Sequence, residues 1–324
     1  SYIEGTGSKY LLTPALQYII MKDRQRADMR RYVSIDIGGT AIKYGLIGED
    51  GRILNRSAAD TQAYRGGAAI LDTVLGIAGR FCAEEKISGI CISTAGVVDT
   101  EKGIITHSAP LIPDYAGTEY KRVLEERFGL PCEVENDVNC AGLAEYYSGA
   151  AAGSRISLML TVGTGIGGSV VIDGKIFRGF SGSACEVGYM SMRGSDFQTL
   201  GAASILSKKV AGWKKEAEGR WDGIRIFEAA KKGDMLCLRA IDEMTDVLGQ
   251  GIANICCVLN PEIVVLGGGI MAQEEILKGR IEKAVAKYLI PGIACHTRLA
   301  FASHRNDAGM LGAFYHFRQR RLER

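Results

Sequence analysis

The chain has 324 residues, 47% of them apolar and 23% charged, with a formal net charge of +2. That composition describes a globular protein with room for two ordinary domains and gives no general electrostatic case for binding nucleic acid. Nine scattered cysteines, some in apolar segments (Cys91, Cys256, Cys257), with no CxxC pair and no secretory signal, point to reduced thiols in a cytoplasmic protein. No apolar run approaches the roughly 18 to 20 residues that span a bilayer. The longest, 252–270, is broken by Asn254, Asn260, Pro261, Glu262 and three glycines.

Residues 1–31 form an N-terminal extension whose function is not readable: a polar start at 1–8, then a basic amphipathic helix expected over 14–31. From Tyr32, strand and helix patterns alternate, which predicts an α/β architecture. Residues 32–54 read as strand, Gly/Thr turn, strand, acidic-Gly turn and strand. Helical spacing over 67–85 precedes a buried strand at 89–93. A charged amphipathic helix at 118–128 is stopped by Gly129, with Pro131 beyond it. A short strand at 132–134 leads to a helix at 139–148. Residues 156–177 then repeat the strand–turn–strand pattern of 32–54. Buried helices at 227–232 and 235–259 precede a fully buried strand, 263–266, running into Gly267, Gly268 and Gly269. The last helix begins near Ala308, and its basic ending, 318–324, reads as a solvated helix end and not a nucleic-acid contact.

Two matched hairpins about 125 residues apart predict duplicated lobes with a ligand between them. In the first, Gly38, Gly39 and Thr40 lack bulk, so the main chain can approach a ligand closely and its amides can form an anion-binding concavity. Thr161, Gly163, Thr164, Gly165, Gly167 and Gly168 offer the same chemistry in the second. No GxxxxGK[ST] spacing is present. The glycine run 163–168 is followed by β-branched residues where a dinucleotide fingerprint needs a helix. The anion expected is a nucleotide phosphate.

The segment Glu135-Asn136-Asp137-Val138-Asn139 stands where a strand gives way to a helix, the place where α/β sheets hold ligand groups. Phosphoryl transfer asks for positioning, charge stabilisation and a base for the acceptor hydroxyl. Asp137 can be that base and Asn136 can fix a neighbouring hydroxyl, although taken alone the segment reads better as a helix start capped by Asp137 or Asn139. Glu186, among small and apolar neighbours, suits either a polyol pocket or a surface loop.

These pieces together resemble the ROK family of sugar kinases, regulators and uncharacterised homologues. The resemblance runs from 32 to 317 and rests on DIGGTAIKYGL (36–46), STAGVVD (93–99), ENDVNCAGLAE (135–145), TVGTGIGGSVVIDGK (161–175), CEVGYM (185–190) and LNPEIVVLGGGI (259–270). It implies the actin-like ATPase (ribonuclease H-like) fold. The small lobe would comprise 32–147 plus 306–324 and the large lobe 148–305, closing over ATP and sugar. It implies Asp137 as general base for a sugar hydroxyl, usually on C6, with Asn136 and Glu186 on sugar hydroxyls and Thr94, Ala95 and Gly96 along the sugar. Gly38, Gly39, Thr40, Lys43, Gly163, Thr164 and Gly165 would hold phosphates, Gly267 to Gly269 would pack on the nucleoside, and Asp36 would stand near Mg2+, directly or through water. A homodimer is a further implication.

Two departures bear on the acceptor. Many members carry a zinc-binding His where this chain has Tyr189, and a cysteine cluster where it has MRGSDFQTLGAAS (192–204). A tetrahedral zinc site needs N or S ligands at workable spacing, so no zinc is expected. Gln198 falls near a Glu that often contacts sugar. Tyr189 and Gln198 therefore alter recognition around C1 and C2, in a pattern similar to β-glucoside kinases and some N-acetylmannosamine kinases. The expected activity is an ATP-dependent kinase for a hexose, hexosamine or β-glucoside. The alternatives are a non-catalytic sugar-binding homologue and a sugar-responsive regulator. The regulator fits less well, because a helix-turn-helix domain needs roughly 60 to 80 residues before the first turn and only 31 precede Tyr32.

Overall fold

The computed structural model describes residues 29–108 and 111–323. The helix expected over 14–31 lies outside the described residues as far as residue 28, and Arg31 already opens the first strand.

In the first half β1 (Arg31–Ile37), β2 (Ala41–Gly48) and β3 (Ile53–Asp60) form an antiparallel meander. Helix α1 (Gly66–Glu84) returns the chain to β4 (Ile87–Thr94), parallel to β1. A small hairpin, β5 (Val97–Asp99) with β6 (Ile104–His107), and helix α2 (Tyr120–Phe128) lead to β7 (Cys132–Asn136), parallel to β4. Helix α3 (Asp137–Ser148) follows with no intervening loop.

The second half repeats the plan. β8 (Ile156–Val162), β9 (Ile166–Ile172) and β10 (Lys175–Ile176) form the meander. A two-stranded ribbon, β11 (Ser191–Met192) with β12 (Ser195–Asp196), precedes α4 (Phe197–Gly201), α5 (Ala203–Lys214), α6 (Gly223–Lys231) and α7 (Met235–Leu259). Strand β13 (Ile263–Gly267) lies parallel to β8. After α8 (Glu274–Tyr288) and α9 (Pro291–Ala294), β14 (Arg298–Phe301) lies parallel to β13, and α10 (Ala308–Arg321) ends the fold. The sheet orders, β3-β2-β1-β4-β7 and β10-β9-β8-β13-β14, are the same figure drawn twice.

Local chemistry explains the element ends. Asp234 caps α7 by accepting from the Leu236 and Cys237 amides, and Asn260 stops it in the left-handed conformation. Gly129 ends α2 the same way, at φ 64°. Strand β13 is buried throughout, as expected of an apolar strand inside a sheet covered on both faces.

Each sheet has its own core, and a third core lies between them. Helix α3 packs on β8 and β9 of the second sheet, α10 packs on β1, β4 and β7 of the first, and the two helices pack on each other. They cross closely at Gly312, where a Cβ would stand 1.8 Å from the Cys140 carbonyl oxygen. The middle helices therefore join the two halves through this shared core.

Three expectations need correction. The stretch Ala63–Glu84 is long and apolar enough to cross a membrane by length and composition. Its Ile70, Val74, Ile77 and Ala78 are buried in the first core. The basic ending is not a solvated stub: Arg320 and Arg321 both pair with Glu133, and Arg318 lies over the Tyr147 and Tyr315 rings. Glu133 is sealed on β7, and a buried carboxylate needs cations. Finally, the cap of α3 is Asn136, not Asp137 or Asn139, because α3 begins at Asp137.

Candidate active site

β7 ends at Asn136 and α3 begins at Asp137, so the two side chains leave the same turn. Asn136 Oδ1 accepts from the Val138 amide at 2.9 Å and the Asn139 amide at 3.1 Å. Its Nδ2 donates to the Gly96 carbonyl at 3.0 Å and to Asp137 Oδ1 at 2.9 Å. A single amide thus fixes the helix start, the loop after β4 and the neighbouring carboxylate.

Asp137 lines a cleft of about 500 Å³ together with Asp36, Gly38, Lys43, Thr161 and Gly267 to Gly269. Phe301, Arg305 and Asn306 complete the wall beyond the β13 glycines. Burial, and then the charge of Asp36, push the Asp137 carboxyl up to about 7 against the hydrogen bonds it accepts. Burial also raises Asp36, opposed by the Ser93 hydroxyl, which donates to its Oδ1 at 2.7 Å, and by Lys43, 3.7 Å from its Oδ2. The first turn of α10 closes over Asp36 at Gly309, where a Cβ would lie 2.2 Å from the carboxylate carbon.

A smaller polar pocket adjoins this cleft. Gly96, Glu135, Asn136, Asn139, Gly168, Arg178 and Glu186 are among its lining residues. Asn136 lines the pocket and Asp137 lines the cleft, so adjacent residues face two adjoining spaces.

The expected site residues divide accordingly. Asn136, Glu186 and Gly96 meet at the pocket, and Asp36, Gly38, Lys43, Asp137 and Gly267 to Gly269 meet at the cleft. Thr94 does not face the pocket, because its hydroxyl is buried and bonded to Tyr115, which is bonded to Tyr120. Ala95 is absent from the pocket lining, as is Tyr189, which is 68% exposed. Gln198 Oε1 lies over Gly165 and Gly188. Gly39, Thr40 and Thr164 are exposed turn residues, while Gly163 and Gly165 are partly covered. The Gly38 and Gly163 amides are spent inside their own turns, on the Ala41 and Gly165 carbonyls.

Sequence reasoning missed Arg178, Arg305, Asn306 and Phe301 as lining residues. Their nearness to the site is tertiary, and no spacing in the chain announces it. Among the described residues, no group of three or more His, Cys, Asp or Glu side chains is placed to hold a metal ion. The Asp36–Asp137 pair nevertheless fits Mg2+ in donor chemistry: it offers hard oxygens, and such an ion commonly takes its other ligands from phosphates and water.

The same architecture recurs in known proteins. A model of the ROK family matches residues 32–320. An uncharacterised protein of Clostridium perfringens is 47% identical over 291 residues, covering 90% of this chain and 99% of its own. A β-glucoside kinase of Klebsiella pneumoniae is 33% identical over 297 residues, covering 89% of this chain and 96% of its own. The solved ROK family glucokinase of Streptomyces griseus, in complex with glucose and AMPPNP, superimposes with a TM-score of 0.75 at 27% identity, covering 88% of this chain and 97% of its own. The shared fold is the actin-like ATPase fold, with its two similar sheets.

Proposed function

The chain belongs to the ROK family, and from that premise we propose that it is an ATP-dependent sugar kinase acting on a primary (C6) hydroxyl of a hexose, hexosamine or β-glucoside. The observation that carries the proposal is Asp137: a carboxyl poised near 7, half-buried, at the junction of a polar pocket and a glycine-walled cleft. A general base works best with a pKa near the working pH.

In this reading the acceptor sits in the pocket, its hydroxyls met by Asn136, Glu186 and the loop at Gly96. ATP occupies the cleft, with phosphates over the turns at Gly38 to Thr40 and Gly163 to Gly165 and the nucleoside against Gly267 to Gly269. Mg2+, held near Asp36, would supply charge neutralisation to the phosphates. Lys43 adds positive charge at the same edge. Asp137 takes the proton from the C6 hydroxyl as its oxygen attacks the γ-phosphorus, and Asn136 keeps that carboxylate aimed. The small lobe comprises 32–147 plus 306–324 and the large lobe 148–305. The working form is a cytoplasmic homodimer without zinc.

The test is coupled ADP release with Mg-ATP across glucose, mannose, fructose, both N-acetylhexosamines and cellobiose, repeated with Asp137→Asn. Removing the base should lower kcat by about 100- to 10,000-fold and leave sugar binding intact. Undiminished turnover in the variant would remove Asp137 from the role of base.

A further inference from the structure

We propose that Arg178 is a positioning residue for phosphoryl transfer: reaching from the loop after β10, its guanidinium pins the Glu135 carboxylate and, through it, the turn that carries Asn136 and Asp137. The inference rests on the kinase reading above, and it concerns a residue outside the reacting groups.

Glu135 is 1% exposed, and both its oxygens are engaged. Oε1 accepts from the Asn136 amide at 2.8 Å and from Asn139 Nδ2 at 3.0 Å. Oε2 accepts from an Arg178 terminal nitrogen and lies 3.7 Å from His316 Nδ1. Burial opposes the Glu135 charge, but the facing His316 and Arg178 and the hydrogen bonds from Asn139 and the Asn136 amide outweigh it and hold its carboxyl low. Burial also pushes the His316 imidazole down to about 4. His316 is therefore neutral at neutral pH, and Arg178 is the cation that then meets Glu135.

Direct bonds run from Arg178 to Glu135, from Glu135 to the Asn136 amide, and from Asn136 Nδ2 to Asp137 Oδ1. The chain of contacts starts beyond the second sheet and ends at the first, so the ion pair bridges the two halves beside the acceptor pocket. The Arg178 loop also carries Gly182, Ala184 and Glu186 of the pocket wall. One ion pair thus governs both the spacing of the pocket walls and the aim of the base. The contact is made through one guanidinium nitrogen, Nη2, and a hydrogen bond between two charged groups is stronger than a neutral one.

The competing account is that Arg178 merely neutralises a buried carboxylate. The two separate in a variant set assayed beside the native protein for kcat, both KM values and thermal midpoint: Arg178→Met, Arg178→Lys, and the double variant Arg178→Met with Glu135→Gln. The double variant strands no charge, so its thermal midpoint should return towards native. A positioning role predicts a kcat loss of up to about 100-fold in Arg178→Met, persisting in the double variant. KM for ATP should be unchanged, and Arg178→Lys should recover part of the loss. Native kcat in the double variant, or in Arg178→Met, would overturn the proposal. A native protein that releases no ADP with any sugar would sink the kinase reading and this inference with it. An active native protein whose variants keep full kcat sinks this inference alone.

Discussion

At Asp137, burial and the facing Asp36 carboxylate act in the same direction, and the result is a carboxyl that ionises near 7 instead of near 3.8. The linkage sign follows from which state holds the proton. Between pH 3.8 and about 7 the folded protein keeps Asp137 protonated while the unfolded chain has released the proton, so stability is lost as pH rises through that window and does not return above it. Asparagine carries no charge to desolvate. The thermal midpoint of ligand-free Asp137→Asn should therefore exceed that of the native protein at pH 8, with the gap closing towards pH 4. A gap independent of pH would mean that Asp137 is not raised. In the proposed mechanism the sign is opposite: a general base works ionised, so kcat/KM for the acceptor should fall as pH drops through the Asp137 pKa. A residue that destabilises the resting fold and serves the reaction is a common price of an active site.

Helices α3 and α10 show what a linear pattern conveys and where it stops. The start of α10 at Ala308 and the span of α7 were legible, because periodicity and caps are local properties. Their destinations were not. Every residue of α10 from Ala308 to Phe317 is buried, so the helix has no polar face to orient it, and nothing in its sequence says that it lies on the first sheet. Likewise the segment 135–139 was legible as a strand end running into a helix, yet Arg178 and Asn306 reach that region from distant segments of the chain. The crossing of α3 and α10 at Gly312 allows a direct test. A methyl there collides with the Cys140 carbonyl, a backbone atom that cannot rotate away. Gly312→Ala should cost about 1–3 kcal/mol or more, seen as a lower urea midpoint. It should also reduce turnover, since α3 begins at Asp137. An unshifted midpoint would show that the helices separate without penalty.

For the whole molecule, the two halves share a core as well as a cleft. The cluster between the sheets joins Tyr32, Ile47 and Cys91 of the first with Met159, Val171, Ile263 and Val265 of the second, through residues of α3 and α10. Phe314 is fully buried within it, its ring 5.3 Å from that of Tyr32. A lobe pair joined in this way can move about the junction but cannot unfold one member without exposing the other's apolar surface. Heat unfolding should therefore be a single transition, with near- and far-ultraviolet dichroism coincident. Phe314→Ala should cost about 3–5 kcal/mol and accelerate amide exchange in β1 and β4 and in β8 and β13 together. If exchange quickened in the first sheet alone, or melting split into two steps, the halves would be independent domains. The proposed base, Asp137, would then depend on the first of them and on contacts between the halves, such as Arg178 with Glu135, for its alignment with the second.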